Sequence, residues 1–381
     1  MKIELNENKV FLENKGLKKE IHPFWLRERI DGDKYIDQIT QQRLFDPTEL
    51  KNNIKIGITI GDANGIGPEI ILKALSEEDG LRGIIPIIYS ELDIIEFYLN
   101  HLGIKSDVNI IDDPVKAQYG RLNIFQLSNS NFKIDFGQQK KESGKVAFQS
   151  LSKASEHAVK NLIDGIVTAP IDKNTIQGDN FDFNGHTEYF TSITNNIQSL
   201  MLMAHDKLKV GIVTNHLSID QVSKAITVGT ILNKISLIDQ SLKRDFQIKN
   251  PKIGLLGLNP HSGDGGLIGQ QEVKIIQPAI DQAIEKGFNV LGPFPADGFF
   301  ASGNYKEYDG ILGMYHDQGL IPFKILSKNQ GVNFTAGLPI IRTSPDHGTA
   351  YEIAGKNKAS FISFQNAILL AKQIYLNRSK D

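Results

Sequence analysis

The chain contains no cysteine. A disulfide framework, a Cys-ligated zinc and a catalytic thiol are therefore excluded together. An excess of one charge is missing as well: 42 Lys and Arg stand against 44 Asp and Glu, a net charge of −2. A nucleic-acid binder would show a basic excess, so no nucleic-acid partner is expected. No apolar run approaches the roughly 18 residues of a membrane span. Met1-Lys2-Ile3-Glu4-Leu5-Asn6 is polar and alternating, without the apolar core of a signal peptide. The expectation is a cytoplasmic protein with no membrane partner. Internal repeats and low-complexity linkers are absent too. The composition, 40% hydrophobic and 23% charged, excludes disorder, collagen and coiled coil as global readings. The 381 residues suit two ordinary domains or one large one, with a core that needs no staple.

What is present changes texture near residue 54. Residues 1–53 are rich in Lys, Glu, Asn and Asp and hold the one tryptophan, in His22-Pro23-Phe24-Trp25-Leu26-Arg27. They read as an appended segment that docks through Phe24 and Trp25. From Ile54 onward, short buried-strand candidates recur at 54–60, 83–90, 165–169, 210–214, 253–258 and 310–315. Between several of them the spacing predicts helices: Pro68 to Leu75, then Ala147, Leu151, Ala154, Ala158 and Leu162, then Ile231, Leu232, Ile235, Ile238 and Leu242. Residues 360–377 predict a closing helix. Strands alternating with helices argue an α/β fold, a mostly parallel sheet covered on both faces.

Three groups of residues carry chemistry. Gly61-Asp62-Ala63-Asn64-Gly65-Ile66-Gly67-Pro68 follows the first strand of this region, where a Gly-rich turn can cradle a phosphate at a helix N-terminus. It is neither GxGxxG nor a Walker A sequence and suits a structural tight turn equally well. The second group is His186, His216, His261 and His316, all in polar or Gly-rich settings; the last three follow apolar strand-like runs. Carboxyl ends of strands are where α/β proteins build sites. Three imidazoles would leave positions open on a zinc-like ion. His22, His101, His157 and His205 sit in helical or charged contexts and read as structural. The third group is residues 337–350, where Arg342 can fork onto a carboxylate or phosphate.

These motifs resemble the 4-phosphohydroxy-L-threonine dehydrogenase family of pyridoxal phosphate (vitamin B6) synthesis, over roughly Ile54 to Tyr375. The residues that carry the resemblance are 65–69, Gly185-His186-Thr187-Glu188, 257–261, Gly292-Pro293-Phe294-Pro295-Ala296-Asp297, 314–319 and 342–350. It implies a fold like the isocitrate and isopropylmalate dehydrogenases, with two α/β/α domains and a cleft between them: 54–170 plus 309–381 as the first, 171–308 as the second. It implies metal ligands at His216, His261 and His316, for zinc, magnesium or cobalt. Substrate contacts fall on His186, Thr187, Lys324, Asn333 and Arg342. A loop for NAD or NADP falls on His347, Gly348, Thr349 and Ala350, and Lys324 and Asp297 become the groups to take the alcohol proton.

The implied reaction is oxidation of the phosphorylated hydroxy-amino acid to a 3-oxo acid, which decarboxylates to 3-amino-2-oxopropyl phosphate. A paralogue with the same machinery would act on phospho-threonate, phospho-erythronate or a dihydrodiol. The resemblance also implies a homodimer with the active site at its interface, His216 and His261 from one subunit and His316 from the other. Departures from the family pattern are Asn215 in place of a Thr, Asn329-Gln330-Gly331 in place of Gly-Arg-Gly, and Ala63 where Pro is common. A second resemblance links 22–27 and 41–47 to the small N-terminal domain of gamma-butyrobetaine-type dioxygenases. The cysteines that hold zinc there are missing here, so no metal role carries over.

Overall fold

The computed structural model describes residues 2–6, 9–14, 17–21, 53–76, 83–128, 130–178, 181–183, 185–195 and 198–380. It divides into two compact units, Met1–Ile54 and Lys55–Asp381. In the first, β1 (Lys2–Asn6), β2 (Lys9–Asn14) and β3 (Leu17–Ile21) form an antiparallel meander, with Ile3 opposite Leu12 and Val10 opposite Ile21. Phe24 and Trp25, expected to dock this segment, lie outside the described residues, as do 22–27 and 41–47.

The second unit is built on one sheet. Its strands are β4 (Ile54–Thr59), β5 (Ile84–Ser90), β6 (Val108–Ile111), β7 (Leu122–Gln126), β8 (Gly165–Thr168), β9 (Leu200–His205), β10 (Leu208–Thr214), β11 (Ile253–Leu256), β12 (Val290–Phe294), β13 (Gly310–Tyr315), β14 (Val332–Ala336) and β15 (Arg342–Pro345). The order is β12-β11-β13-β10-β9-β14-β15-β8-β4-β5-β7-β6. The helices are α1 (Gly67–Ser76), α2 (Leu92–Leu102), α3 (Lys141–Val159), α4 (Lys173–Ile176), α5 (His186–Ile193), α6 (Ile219–Ala225), α7 (Val228–Arg244), α8 (Gln277–Glu285), α9 (Ala296–Ala301), α10 (His316–Ser327) and α11 (Ile362–Arg378). No helix among the described residues is long and apolar enough to cross a membrane.

The expected α/β class is borne out, and for the anticipated reason. Strands covered on both faces are continuous apolar runs, and all of β5, β8 and β11 is buried. The 3.6-residue stripes are also real. Ala147, Leu151, Ala154 and Ala158 of α3 are buried against the β5–β8 side, and Ile231, Ile235, Ile238 and Leu242 of α7 are buried near β10 and β13. Leu162 falls beyond the end of α3, which stops at Val159.

Strand direction explains where a site can form. β10 is parallel to β13, and β13 to β11. β9 is antiparallel to both β10 and β14, and β14 is antiparallel to β15. β15 is parallel to β8, and β8 to β4. The β10–β13–β11 and β8–β4 sides thus run in opposite directions and meet through the antiparallel trio β9, β14 and β15. Each side has its own core, one around Tyr89, Leu151 and Phe190, the other around Ile212, Leu256 and Phe323. The expected domain boundaries meet this order at β13: it falls in the segment 309–381 but is bonded on both edges to strands of 171–308.

Close backbone approach fixes one helix. A Cβ on Gly144 in α3 would sit 2.0 Å from the carbonyl oxygen of Thr175 in α4, and backbone cannot yield as a side-chain tip can. Gly144→Ala is expected to destabilise the protein by about 1–3 kcal/mol. Gly298→Ala in α9, where nothing lies within 4 Å, should be neutral or stabilising by up to about 1 kcal/mol. Urea unfolding of both variants is the check; equal stability would remove the α3–α4 contact from the account.

Candidate active site

The antiparallel trio carries polar residues on one face of an otherwise apolar sheet. Asn333 of β14 is paired with Ser344 of β15 and Met203 of β9. Alternation then puts Asn333, Thr335, Arg342, Ser344 and Met201 on the same side. Phe334, between Asn333 and Thr335, goes to the other side and is fully buried. Over the polar face lies a cavity of about 170 Å³. Of the residues singled out from sequence, His186, Thr187, His216, Asn333, Arg342, His347 and Gly348 line it together.

Arg342 is the largest group in this face and is only 2% exposed. Its Nη2 donates to Thr168 Oγ1 at 2.7 Å, its Nε to the same oxygen at 3.2 Å, and its Nη1 to Thr335 Oγ1 at 3.2 Å. The Phe190 ring lies 5.8 Å from the guanidinium carbon. No carboxylate among the described residues pairs with it. Burial disfavours its charge, offset in part by Glu188. A buried cation served only by hydroxyls is costly, and an anionic ligand in the cavity removes that cost.

Burial and local hydrogen bonds, with the field of this cation at His186, set the charge states of the neighbouring groups. Burial, then the field of Arg342, hold His186 well below the ordinary histidine range, and its Nε2 has no hydrogen-bond partner in the structure. Asn333 Oδ1 and His347 Nε2 are likewise unpartnered and buried. For Glu188, burial raises the pKa, but hydrogen bonds from His216 and from its own backbone outweigh burial and leave it lowered.

The three metal-ligand candidates do not lie together in one chain. His216 follows β10 and His316 opens α10 after β13. Because Thr214 and Tyr315 are in register, their rings come to 5.8 Å, centroid to centroid. Each carries a carboxylate on Nδ1: Glu188 at 3.5 Å from His216, and Asp317 at 2.7 Å from His316. Such partners fix the tautomer and leave Nε2 as the free ligand atom. His261 goes elsewhere. Residues 261–265 are all left-handed, with φ between 43° and 78°, a conformation that costs energy for non-glycine residues. This turn delivers His261 to a separate cavity of about 500 Å³ shared with Asp297, Tyr315 and Asp317. No group of three potential ligands around one point occurs among the described residues. Within one chain, register brings His216 beside His316, whereas the expectation grouped His216 with His261.

Lys324 is not among the residues that line the first cavity; its Nζ donates to the Asp346 carbonyl at 2.8 Å, next to His347. Thr349 and Ala350 continue the loop behind it. Sequence reasoning missed Lys173, which lines the Arg342 cavity. The signal was available, since Pro170-Ile171-Asp172-Lys173 lies one residue beyond the carboxyl end of β8. The Gly61–Pro68 turn proves structural. Asp62 N donates to Pro170 O, Asn64 N to Asp62 Oδ1, Gly65 N to Asp62 O and Ile66 N to Thr349 O. With those four N–H groups bonded internally, the turn acts as a support for the loop at Thr349.

A family model for the pyridoxal phosphate biosynthetic protein PdxA matches residues 84–371, which include the candidates from His186 to Ala350 but not the Gly61–Pro68 turn. The chain belongs to this family. The 4-hydroxythreonine-4-phosphate dehydrogenase of Bacteroides thetaiotaomicron is 45% identical, over 87% of this chain and 91% of that one. An Oceanobacillus iheyensis protein bearing the name D-threonate 4-phosphate dehydrogenase is 40% identical over 79% of this chain and 92% of its own. The crystal structure of 4-hydroxythreonine-4-phosphate dehydrogenase from Klebsiella pneumoniae superposes with a TM-score of 0.75 at 33% identity, covering 85% of this chain and 98% of that one. PdxA-family membership makes the chain an oxidoreductase, a dehydrogenase of vitamin B6 biosynthesis, and implies a nicotinamide cofactor.

The depressed His186 pKa has a consequence for stability. Below about pH 6.5 the unfolded chain binds a proton on this histidine that the folded chain refuses. Stability should therefore fall as pH drops below that value. His186→Gln should flatten the slope by up to one proton between about pH 5 and pH 6.5. Urea unfolding of the ligand-free protein across that window decides it; an unaltered slope would mean that His186 is protonated in the folded state.

Proposed function

We propose that the chain oxidises 4-phosphohydroxy-L-threonine with NAD or NADP, giving a 3-oxo acid that loses CO2 to form 3-amino-2-oxopropyl phosphate, and that it does so in the cytoplasm. The observation that carries this reading is the buried Arg342 guanidinium, without a carboxylate partner and open to a small polar cavity. A phosphate or carboxylate supplies the missing counter-charge, and the planar fork reads its oxygens. Lys173 adds positive charge in the lining, and Lys324 holds the backbone beside His347 through the Asp346 carbonyl. His186, kept neutral, donates from one nitrogen and accepts on the other without adding to the repulsion. Thr187 and Asn333 supply further polar contacts.

The donor set fits a divalent cation, zinc, magnesium or cobalt: two imidazoles with carboxylates on their far nitrogens, and a third imidazole displayed on a strained turn. His216 and His316 of one chain would hold the ion with His261 of a second copy, which makes the working unit a homodimer with the site at its interface. When bound, such an ion lowers the pKa of an alcohol and polarises a carbonyl. Asp297 shares its cavity with His261 and would arrive at the site with it. It is therefore favoured over Lys324, whose Nζ is engaged by the Asp346 carbonyl, as the group that takes the hydroxyl proton. His347, Gly348, Thr349 and Ala350 line the side on which the nicotinamide cofactor would lie. The Oceanobacillus relative supports a second reading with D-threonate 4-phosphate as substrate. A panel of both substrates with NAD and with NADP, read as reduced-cofactor absorbance, separates the two; no turnover of either ends both.

Two variants test the site. Arg342→Lys should raise the substrate KM about thirtyfold, a loss of roughly 2 kcal/mol, with the cofactor KM little changed; an unaltered substrate KM removes Arg342 from the site. Mixing inactive His216→Ala and His261→Ala chains should restore about a quarter of the wild-type sites. Half of the dimers are mixed, and one of the two sites in each keeps all three ligands. The pair His216→Ala and His316→Ala should restore none. The opposite pattern would return the ligands to the division implied by sequence resemblance.

A further inference from the structure

Asp62 is buried completely, yet no cation lies within ion-pair distance of it among the described residues. Its Oδ2 instead accepts from three hydroxyls on three separate segments: Ser143 at the start of α3 at 2.8 Å, Thr175 of α4 at 3.0 Å, and Tyr351 at 2.9 Å. Its Oδ1 accepts from Asn64 N at 2.9 Å. Ser143 and Thr175 belong to the packed helices α3 and α4. Tyr351 does not: it directly follows His347-Gly348-Thr349-Ala350.

That loop is under local strain and is held at two points by the same turn. Ala350 has φ 44°, a left-handed conformation that is uncommon for a residue with a Cβ. On one side of it the Thr349 carbonyl accepts from Ile66 N at 3.0 Å. On the other, the Tyr351 hydroxyl reaches Asp62. The turn that provides both anchors is itself fixed. Tyr98 OH lies within hydrogen-bond distance of the carbonyls of Ala63 and Gly65, at 2.7 and 3.1 Å. Asn64 accepts from Asp135 N and Gly137 N, both at 2.8 Å. Burial, then the charge of Asp62, push the Tyr351 phenol upward, so it stays a donor. The anchors therefore bracket the strained residue from a rigid base.

We propose that Asp62 is a positioning residue for cofactor binding, acting through the Tyr351 hydroxyl to hold Ala350 in its left-handed conformation and so to set the shape of residues 347–349. This rests on the reading of 347–350 as the nicotinamide loop. It adds a group that does not touch the cofactor yet determines how well the loop receives it. Substrate binding depends first on Arg342 and His186, carried by β15 and α5; His347 and Gly348 line the same cavity, so substrate affinity falls too when the loop shifts, but by less than cofactor affinity.

The test is calorimetric titration of the full chain with NAD and with NADP, alongside the steady-state KM for 4-phosphohydroxy-L-threonine. Tyr351→Phe is expected to weaken cofactor binding about tenfold, the loss of one charge-assisted hydrogen bond, with a clearly smaller rise in substrate KM; Asp62→Asn, which also disturbs the bonds from Ser143 and Thr175, should weaken cofactor binding at least as much. Ala350→Gly added to Tyr351→Phe should recover most of the loss, because glycine takes positive φ without strain; a role in general stability would give no such rescue. Unchanged cofactor affinity in Tyr351→Phe, or equal losses for substrate and cofactor, would overturn the proposal. Gly348→Asp, at a position with nothing within 4 Å, tests the loop itself. If it weakens cofactor binding while Tyr351→Phe does not, the latch alone fails; if it leaves cofactor affinity intact, the loop reading fails and the latch with it.

Discussion

A cation without a counter-ion sits at the centre of this sheet, and the surrounding architecture is best understood as what makes it tolerable. Arg342 lies on β15, between β14 and β8, and the hydroxyls that serve it, Thr335 and Thr168, come from those two strands. Neither hydroxyl carries charge, so both orient the guanidinium without neutralising it. A carboxylate in the same place would have given a satisfied internal ion pair and closed the site to ligands. The strands that hold Arg342 are also those through which the two sides of the sheet reverse direction. A purely parallel sheet would bury both faces in aliphatic side chains; the antiparallel trio instead carries Asn333, Thr335, Arg342 and Ser344 on one face.

Charge alternates with distance from Arg342. Next to it, His186 is forced neutral by burial and by the guanidinium. Two residues along the same helix, Glu188 stays ionised because His216 and its own backbone donate to it. That carboxylate in turn orients His216, whose ring faces His316. Alternating cation, neutral imidazole, anion and imidazole in this way lets one small volume present an anion-binding end and a cation-binding end. A substrate with a phosphate at one end and a hydroxyl beside a carboxylate at the other has the matching polarity.

Much of this was legible in the sequence where the signal is local. Fully buried strands read as unbroken apolar runs, and the helix stripes of α3 and α7 could be counted. Histidines just beyond strand ends stood out because that is where loops can gather ligands. What stayed hidden depends on register and on long-range closure. No local pattern says that Thr214 faces Tyr315 across the sheet, so the pairing of His216 with His316 could not be read, nor could the left-handed turn that sends His261 elsewhere. The Gly61–Pro68 turn has the composition of a phosphate cradle. Only the partners of its N–H groups, one of them the Thr349 carbonyl far along the chain, show that it supports another loop instead. Lys173 was overlooked because a lysine in a helix start has the look of a solvated charge until the cavity beside it is known.

The two carboxylates at Nδ1 differ in a way that bears on how the histidines can work. Asp317 is the immediate neighbour of His316 in sequence and meets it at 2.7 Å from the first turn of the same helix, so their geometry is set locally as soon as α10 forms. Glu188 reaches His216 from α5, and at 3.5 Å the contact is looser. It depends on how α5 packs over the sheet, and α5 is also the helix that presents His186 and Thr187 to the cavity. A ligand that draws α5 toward Arg342 would therefore move Glu188 relative to His216, while leaving the Asp317–His316 pair untouched. The short helix His186–Ile193 thus joins the anion end of the cavity to His216, and the asymmetry between the two histidines follows from one carboxylate being local to its helix and the other arriving from a separate element.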